Sequence, residues 1–292
     1  MERDRIMESK NHLSVSFIGA GNAAFRLSLA LKYSGIIISG VWNRGRESAD
    51  FMAKILNKRE NNPSALPDTM VYDEIYDCLN SNIVIIAVSD DFIPDIIEMI
   101  KLRQEVLAGE VIICHVSGSQ NISIFGDIPN HGVIYPLMTL SKSKPVDFKI
   151  VPFLIEASNE KSLNTIEELI NSLKSEYSIC SSNERLKLHL AAVYVNNFVN
   201  YILSMAYEIS PQHHVFLLPL ATETVRKAFL KGDPFLTQTG PAVRDDNGTI
   251  EKHLNLINEC FDKNKNPHEE VYRLFTALIK EKFIEYKDNV KF

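Results

Sequence analysis

The stretch that decides the fold reads Leu13-Ser-Val-Ser-Phe-Ile18, followed by Gly19-Ala-Gly21-Asn-Ala-Ala24. The first six residues alternate and then run apolar, which predicts a strand that enters a buried sheet. Apolar residues at helical spacing follow over 25–33, so the glycine-rich turn joins a strand to a helix. In such a turn the first glycine permits a tight bend, and the second lets the backbone approach a pyrophosphate. This order predicts dinucleotide binding, and a turn without a ligand is the alternative.

Strands and helices continue to alternate as far as residue 180. The further predicted strands are 36–42, 70–72, 83–88, 111–116, 132–135, 152–156 and 177–180, and the further helices in this part are 48–57, 92–102 and 160–175. This alternation predicts βαβ units and a mostly parallel, doubly wound sheet. Four helical segments follow without a strand pattern between them, at 184–209, 214–230, 249–261 and 268–286. We therefore expect an α/β domain over 1–182 and an all-α domain over 183–292.

The end of the second predicted strand bears on which dinucleotide is bound. Asn43 follows Gly21 by about 20 residues, where NAD enzymes usually carry an Asp or Glu for the ribose hydroxyls. The chain instead has Asn43-Arg44-Gly-Arg46 there. A carboxylate would repel a 2′-phosphate, whereas two guanidinium groups can bind it. The sequence therefore favours NADP over NAD, and a solvated basic loop is the alternative.

Two more strand ends carry candidate site residues. Ala87-Val88-Ser89 ends one strand with small side chains that would let a cofactor ribose pass, unless it is only a strand end before a helix. Cys114-His115-Val-Ser117 ends the next, so His115 and Ser117 should face a nicotinamide or substrate in the crevice. His115 could move the proton that accompanies hydride transfer, because its ordinary pKa of about 6.5 suits that task. The alternative is a histidine that satisfies loop hydrogen bonds.

Composition and charge narrow the class of protein. The 292 residues are 45% hydrophobic, which is enough for a sizeable core, and the net charge of -6 argues against nucleic-acid binding. The four cysteines are scattered without a CxxC pair, which argues against a disulfide framework or a zinc site. Residues 1–12 lack an apolar signal core, and 186–206 contain too many polar groups for a membrane span. We expect a soluble, cytoplasmic protein without a metal.

Four stretches together resemble a known group of proteins. They are Gly19-Ala-Gly-Asn-Ala23, His115-Val-Ser-Gly118, Ala191-Ala-Val-Tyr-Val-Asn-Asn197 and Thr239-Gly-Pro-Ala-Val-Arg-Asp245. The chain resembles the uncharacterised Rossmann-like oxidoreductases similar to deazaflavin-dependent NADP oxidoreductase, which carry a helical C-terminal domain of unknown function. More distantly, it is similar to pyrroline-carboxylate reductases and β-hydroxyacid dehydrogenases. The resemblance implies a Rossmann-type NADP domain and a helical domain like that of phosphogluconate dehydrogenase, with paired subunits completing the cleft.

The resemblance also implies roles for residues of the helical domain. Asn196 and Asn197 match a helical Asn pair that lines the active site of the dehydrogenase relatives. Those relatives carry a catalytic lysine four residues before the second Asn, a position that is Val193 here. A His-Pro-Leu step that is common in the group is replaced by Tyr135-Pro-Leu. From the residues alone, the two amides need partners that helix packing, a subunit or a ligand could supply.

The loop over 239–246 contains a further candidate. Arg244 could bind a substrate carboxylate, with Thr239 and Gly240 donating beside it. The alternative is a turn that precedes a helix capped by Thr249.

The predicted function is an NADP-dependent oxidoreductase that transfers a hydride to or from a small carbonyl, imine or hydroxy compound, in a homodimer. The candidate catalytic residues are His115, Ser117, Asn196, Asn197 and Arg244, and the candidate cofactor contacts are Gly19, Gly21, Asn22, Ala23, Ala24, Asn43, Arg44, Arg46, Ala87, Val88 and Ser89. Because the lysine of the relatives is missing, a non-catalytic NADP-binding or sensing protein is the alternative. A helical dimeriser that binds no nucleotide is a third interpretation.

Overall fold

Two units, which divide between Val193 and Tyr194, make up the chain in this computed structural model. It describes residues 13–62, 64–230, 232–262 and 266–289. The expectation that no signal peptide is present rests on residues 1–12, which lie outside this part. In the part that is described, no helix combines the length and the hydrophobicity needed to span a membrane.

The first unit is built on one sheet of eight strands. They are β1 (Ser14–Ile18), β2 (Ile37–Trp42), β3 (Met70–Val71), β4 (Ile83–Ile86), β5 (Ile112–His115), β6 (His131–Pro136), β7 (Phe153–Ala157) and β8 (Tyr177–Ile179). Their spatial order is β3-β2-β1-β4-β5-β6-β7-β8, and every pairing is parallel except that of β6 with β7. The chain reverses its direction of winding between β1 and β4, which is where open α/β sheets bind ligands. The predicted doubly wound, mostly parallel sheet is confirmed.

Apolar side chains cover both faces of this sheet. In β4, Ile83 and Ile85 join the larger core cluster, whereas Val84 and Ile86 join the smaller one. A strand buried on both faces has a continuous apolar sequence, which explains why β4 is so clear in the primary structure. The helices of this unit are α1 (Asn22–Tyr33), α2 (Arg46–Leu56), α3 (Ile93–Ile100), α4 (Gln104–Leu107), α5 (Glu160–Ser172) and α6 (Ser182–Ala192).

The second unit is helical, as the sequence predicted. A π-helical turn, Val193–Phe198, leads into α7 (Val199–Ile209), and α8 (Leu218–Leu230), α9 (Pro241–Arg244), α10 (Asn247–Cys260) and α11 (Pro267–Asn289) follow. The short helix α9 was not predicted. The expected domain boundary at residue 182 coincides with the start of α6, which belongs to the first unit.

Candidate functional site

The glycine-rich turn brings the backbone of two strand ends into close contact. Gly19 has a φ of 108°, which L side chains rarely adopt, and a Cβ there would lie 2.5 Å from the carbonyl oxygen of Ala87. The Gly19 N–H donates to the Trp42 carbonyl at 2.8 Å, and the Ala87 N–H donates to the Ile18 carbonyl at 2.8 Å. Only glycine therefore fits between the ends of β1 and β4.

Helix α1 begins at this turn without a side-chain cap. Gly21 is the N-cap residue, and the first turn contains no acidic residue. The orphan N–H groups of such a helix start, together with the helix dipole, form an anion-binding site. Ala24 is fully buried, whereas the Asn22 side chain accepts a hydrogen bond from the Lys142 N–H at 3.0 Å. The turn therefore presents backbone N–H groups that no side chain caps.

The residues after β2 divide into one free and one engaged arginine. Asn43 fixes this loop, because its Oδ1 accepts from the Ala20 N–H at 3.1 Å and its Nδ2 donates to the Gly45 carbonyl at 2.9 Å. The Arg44 guanidinium lies 5.1 Å from the centre of the Phe92 ring and pairs with no carboxylate among the described residues. Arg46, in contrast, is bonded to Asp73 and lies 3.7 Å from Asp50.

These strand ends enclose a cleft of about 680 Å³ in the first unit. It is lined by Gly19, Ala20, Gly21, Trp42, Asn43, Arg44, Gly45, Ala87, Val88, Ser89, Phe92, Asp95, Ile96 and Met99. The volume is within the range of small-molecule and cofactor sites. Seven of the predicted cofactor contacts therefore line this one cleft. The other four, Asn22, Ala23, Ala24 and Arg46, are not among its lining residues. The sequence did not predict Phe92, which supports the Arg44 side chain.

His115, the predicted acid/base residue, is buried at the end of β5. Its side chain has no solvent exposure and stacks on Phe125, with the ring centres 5.5 Å apart. Nδ1 accepts from the Ser117 N–H at 3.1 Å, and Nε2 has no hydrogen-bond partner among the described residues. Burial lowers the pKa of His115 to about 3, and the positive charge of Arg185 adds to this effect. The expectation that His115 faces the crevice is not met here, because the imidazole is enclosed and neutral at pH 7.

Ser117 belongs to a hydrogen-bonded cluster that joins the ends of β4 and β5. Its hydroxyl donates to Asp90 Oδ2 at 2.7 Å, and the Ser119 hydroxyl donates to the same oxygen at 2.5 Å. The Ser117 Oγ also accepts from the backbone N–H groups of Ser119 and Gln120. Asp90 follows Ser89, which lines the cleft, so this cluster adjoins the cleft wall.

A tyrosine–histidine pair lies beside this cluster, and the sequence did not predict it. Tyr135 Oη, on β6, lies 2.9 Å from Nδ1 of His189, on α6. Gly118 makes this approach possible, since a Cβ there would lie 2.6 Å from His189 Nδ1 and 2.8 Å from Tyr135 Cζ. The Gly118 in His115-Val-Ser-Gly118 is a signal of close packing at this point, but no spacing rule joins residues 54 positions apart.

The start of α6 is anchored to the sheet by Arg185. Its guanidinium is bonded to Glu156, on β7, and donates to the Gln120 carbonyl at 2.6 Å and to the Ser182 hydroxyl at 3.1 Å. The Arg185 side chain is 1% exposed. A buried charge with so many partners fixes the helix that carries His189.

The remaining predicted residues lie in the second unit. Asn196 and Asn197 are exposed within it, in the π-helical turn, with Asn196 Nδ2 donating to Asn197 Oδ1 at 3.3 Å. They are therefore not buried amides in this chain, and turns of this kind occur frequently at functional sites. Arg244 is exposed at the end of α9 and forms no ion pair among the described residues. The cap of α10 is Asp246, which accepts from the Thr249 N–H at 3.1 Å, rather than the predicted Thr249.

Both halves of the chain match models of protein families. Residues 4–140 match the Rossmann-like domain, and residues 151–279 match a domain of unknown function, DUF2520. The two matched regions follow one another along the chain. No curated protein matches it significantly by sequence.

Solved structures share the fold of this chain over most of its length. A Bacteroides fragilis protein, provisionally named an NADP oxidoreductase, is 29% identical with a TM-score of 0.73, over 92% of this chain and 98% of that one. A reductive aminase from Aspergillus terreus, in complex with NADPH and ethyl-5-oxohexanoate, is 13% identical with a TM-score of 0.67, over 94% of each chain. A Myxococcus stipitatus imine reductase variant, in complex with NAD+, is 17% identical with a TM-score of 0.62, over 92% of each chain.

The resemblance that the four sequence stretches indicated is therefore confirmed at the level of domains and fold. A pyrroline-5-carboxylate reductase from Coxiella burnetii also has this fold, at 14% identity.

Proposed function

We propose that the protein is an NADP-dependent oxidoreductase that transfers a hydride to or from a small carbonyl, imine or hydroxy compound. One observation carries the proposal: a single cleft joins an uncapped helix start, a turn that admits only glycine, and an arginine that pairs with no carboxylate of the described residues. The names of the Bacteroides fragilis oxidoreductase and of the NADPH-bound reductive aminase support the same class of reaction.

Each part of the cleft has a task in this proposal. The N–H groups after Gly21 bind the pyrophosphate, while Asn43 holds the turn in place through the Ala20 N–H. Ala87 and Val88 leave room at the end of β4 for the chain of the cofactor to cross towards β5. The bound nicotinamide would supply the hydride chemistry, so the protein contributes position and electrostatics.

Arg44 is our candidate for distinguishing NADP from NAD. It forms no ion pair within the part of the chain that the structure describes and is supported by the Phe92 ring, so its guanidinium can bind a 2′-phosphate without first breaking such a pair. Arg46 is engaged with Asp73 and Asp50, so we assign it a smaller part than the sequence suggested.

Titration with NADPH and NADH, followed by nicotinamide fluorescence, tests this assignment. We expect tighter binding of NADPH and a loss of about 10–100-fold in NADPH affinity for Arg44→Ala, because a charged hydrogen-bonding partner is removed. NADH affinity should be unchanged in that variant. Arg46→Ala is the matched control and should change NADPH affinity by less than about threefold. Binding of neither nucleotide by the wild-type protein would overturn the proposed function.

Residues of the second unit are our candidates for substrate contacts. The exposed amides of Asn196 and Asn197 could orient a polar substrate, and Arg244 could bind its carboxylate. Turnover distinguishes this enzyme from a non-catalytic NADP-binding protein, which would bind NADPH and reduce nothing.

We also propose that the protein is a homodimer. Large apolar side chains of the second unit are exposed in the single chain, among them those of Tyr194, Val195, Phe198, Tyr201 and Leu203. Such a patch usually marks a protein interface. Light scattering should give twice the chain mass of 33.1 kDa, and Leu203→Glu should shift the protein towards monomer. Leu102→Glu, at an exposed leucine of the first unit, is the control and should remain dimeric.

A further inference from the structure

The Tyr135–His189 pair has the properties of a proton-donating site. The Tyr135 hydroxyl lies 2.9 Å from His189 Nδ1, and the two rings meet edge to face at 73°. Both side chains are half-buried, so solvent can reach them within the first unit. Burial raises the pKa of Tyr135 above its ordinary value, and the nearby Asp90 carboxylate raises it further. The phenol therefore stays protonated at neutral pH and is able to donate a proton.

The surroundings of the pair place it near the proposed site of hydride transfer. A Cβ on Gly118 would collide with both side chains, and Gly118 lies between Ser117 and Ser119, which donate to Asp90. Asp90 in turn follows the cleft residue Ser89. The residues at the ends of the neighbouring strands β4, β5 and β6 thus connect the cleft with the Tyr135 hydroxyl. His115, which the sequence suggested for this task, is enclosed beneath the same edge.

We propose that Tyr135 Oη donates the proton that accompanies hydride transfer, and that His189 Nδ1 orients this hydroxyl and returns a proton to it. The proposal rests on the proposed function and names its acid. In the reduction, the carbon of a C=O or C=N group gains a hydride from the reduced nicotinamide, which becomes oxidised. The oxygen or nitrogen of the substrate gains the Tyr135 proton. The tyrosinate then takes the proton from His189 Nδ1 while Nε2 takes one from solvent, and proton exchange with solvent returns the imidazole to its Nδ1–H form.

The test of Tyr135 separates chemistry from cofactor binding. The probes are NADPH with 1-pyrroline, a cyclic imine, and with cyclohexanone, a ketone. Tyr135→Phe should lower kcat for a reduced probe by about 100-fold or more, because it removes a general acid. The dissociation constant of NADPH should stay within a factor of two. Tyr177→Phe is the matched control, since Tyr177 Oη donates to Glu167 on another part of the sheet, and its kcat should be unchanged.

The test of His189 asks whether it acts through Tyr135. His189→Ala should lower kcat at unchanged NADPH affinity. His189→Asn should restore only part of the rate, because its amide can donate a hydrogen bond to the Tyr135 oxygen but cannot return a proton to it. His131→Asn, at the opposite end of β6, is the control. Gly118→Ala leaves both partners in place but drives them apart, and it should resemble His189→Ala. Gly248→Ala, where the nearest atom would be 3.9 Å away, should have no effect.

A spectroscopic measurement needs no substrate. The 15N signals of labelled histidine should show that Nδ1 is the nitrogen of His189 that donates a hydrogen bond, and Tyr135→Phe should shift this signal selectively. A wild-type protein that fails to bind NADPH overturns the proposed function itself. If NADPH binds but neither probe is reduced, if Tyr135→Phe keeps the wild-type kcat, or if Nδ1 carries no proton, the assignment of Tyr135 and His189 is wrong while the cofactor site stands.

Discussion

The two sides of the sheet edge are held in different ways. On the side of β1 and β2, backbone contacts dominate: the Gly19 N–H binds the Trp42 carbonyl, and the Ala87 carbonyl leaves no room for a Cβ on Gly19. On the side of β5 and β6, side chains distant in sequence form the structure, such as Tyr135 with His189 and Arg185 with Glu156. A site built from backbone groups is visible in the sequence as a local pattern of glycines. A site built from side chains is visible in the sequence only as polar residues that lie far apart.

The largest change in stability is expected on the side of β5 and β6, which side chains hold together. Arg185→Met should lower the free energy of unfolding by about 3–5 kcal/mol, because Glu156 and the Gln120 carbonyl lose their buried partner. Urea denaturation measures this change. The NADPH affinity of the protein that remains folded should hardly change, since the backbone-built side does not depend on Arg185.

The control for this prediction is an exposed ion pair of similar chemistry. Arg226 donates to Glu223 at 2.8 Å with a side chain that is 60% exposed, so Arg226→Met should change stability by less than about 1 kcal/mol. Equal losses of stability in the two variants would show that the burial of Arg185 does not strengthen its contribution to stability. A large loss of NADPH affinity in folded Arg185→Met would show that the two sides are coupled.

A smaller effect is expected at the backbone-built side. Gly19→Ala introduces a Cβ at 2.5 Å from a carbonyl oxygen and a φ of 108°, and we expect a loss of roughly 2–4 kcal/mol in stability. NADPH affinity should fall by more than about tenfold, because the turn must open to make room. Thermal unfolding and fluorescence titration measure the two quantities.

Gly35 separates the two causes of this loss. It has a φ of 90°, yet a Cβ there would meet nothing within 4 Å, so Gly35→Ala should cost only about 1–2 kcal/mol for the backbone conformation. NADPH affinity should be unchanged. If Gly35→Ala and Gly19→Ala are equally destabilising, crowding against Ala87 does not contribute, and the close contact of the two strand ends is not essential.

The difference between the two sides of the sheet edge also explains which features can be predicted from the sequence. The strands, the glycine turn and the basic residues after β2 follow from local patterns, because period, turn chemistry and strand ends are properties of neighbouring residues. The role of Phe92 beneath Arg44, and the engagement of Arg46 with Asp73, depend on which helices and loops meet in space. The burial of His115 also depends on such contacts, because the Phe125 ring, from the segment after β5, stacks on the imidazole.

The last prediction concerns the pH dependence of stability at His115, and it tests whether this residue supports the structure instead of reacting. Its pKa is about 3 in the folded chain, below the ordinary value of 6.5. Between these values the unfolded chain binds a proton that the folded chain does not, so stability falls as the pH is lowered through this window, by up to about 1.4 kcal/mol per pH unit. His115→Asn can still accept from the Ser117 N–H and does not titrate. Its urea stability should therefore fall less steeply below pH 6.5, with a constant difference from wild type above pH 7.5. Parallel pH profiles for the two proteins would show that the imidazole is not enclosed in solution, and would return His115 to the candidates for proton transfer.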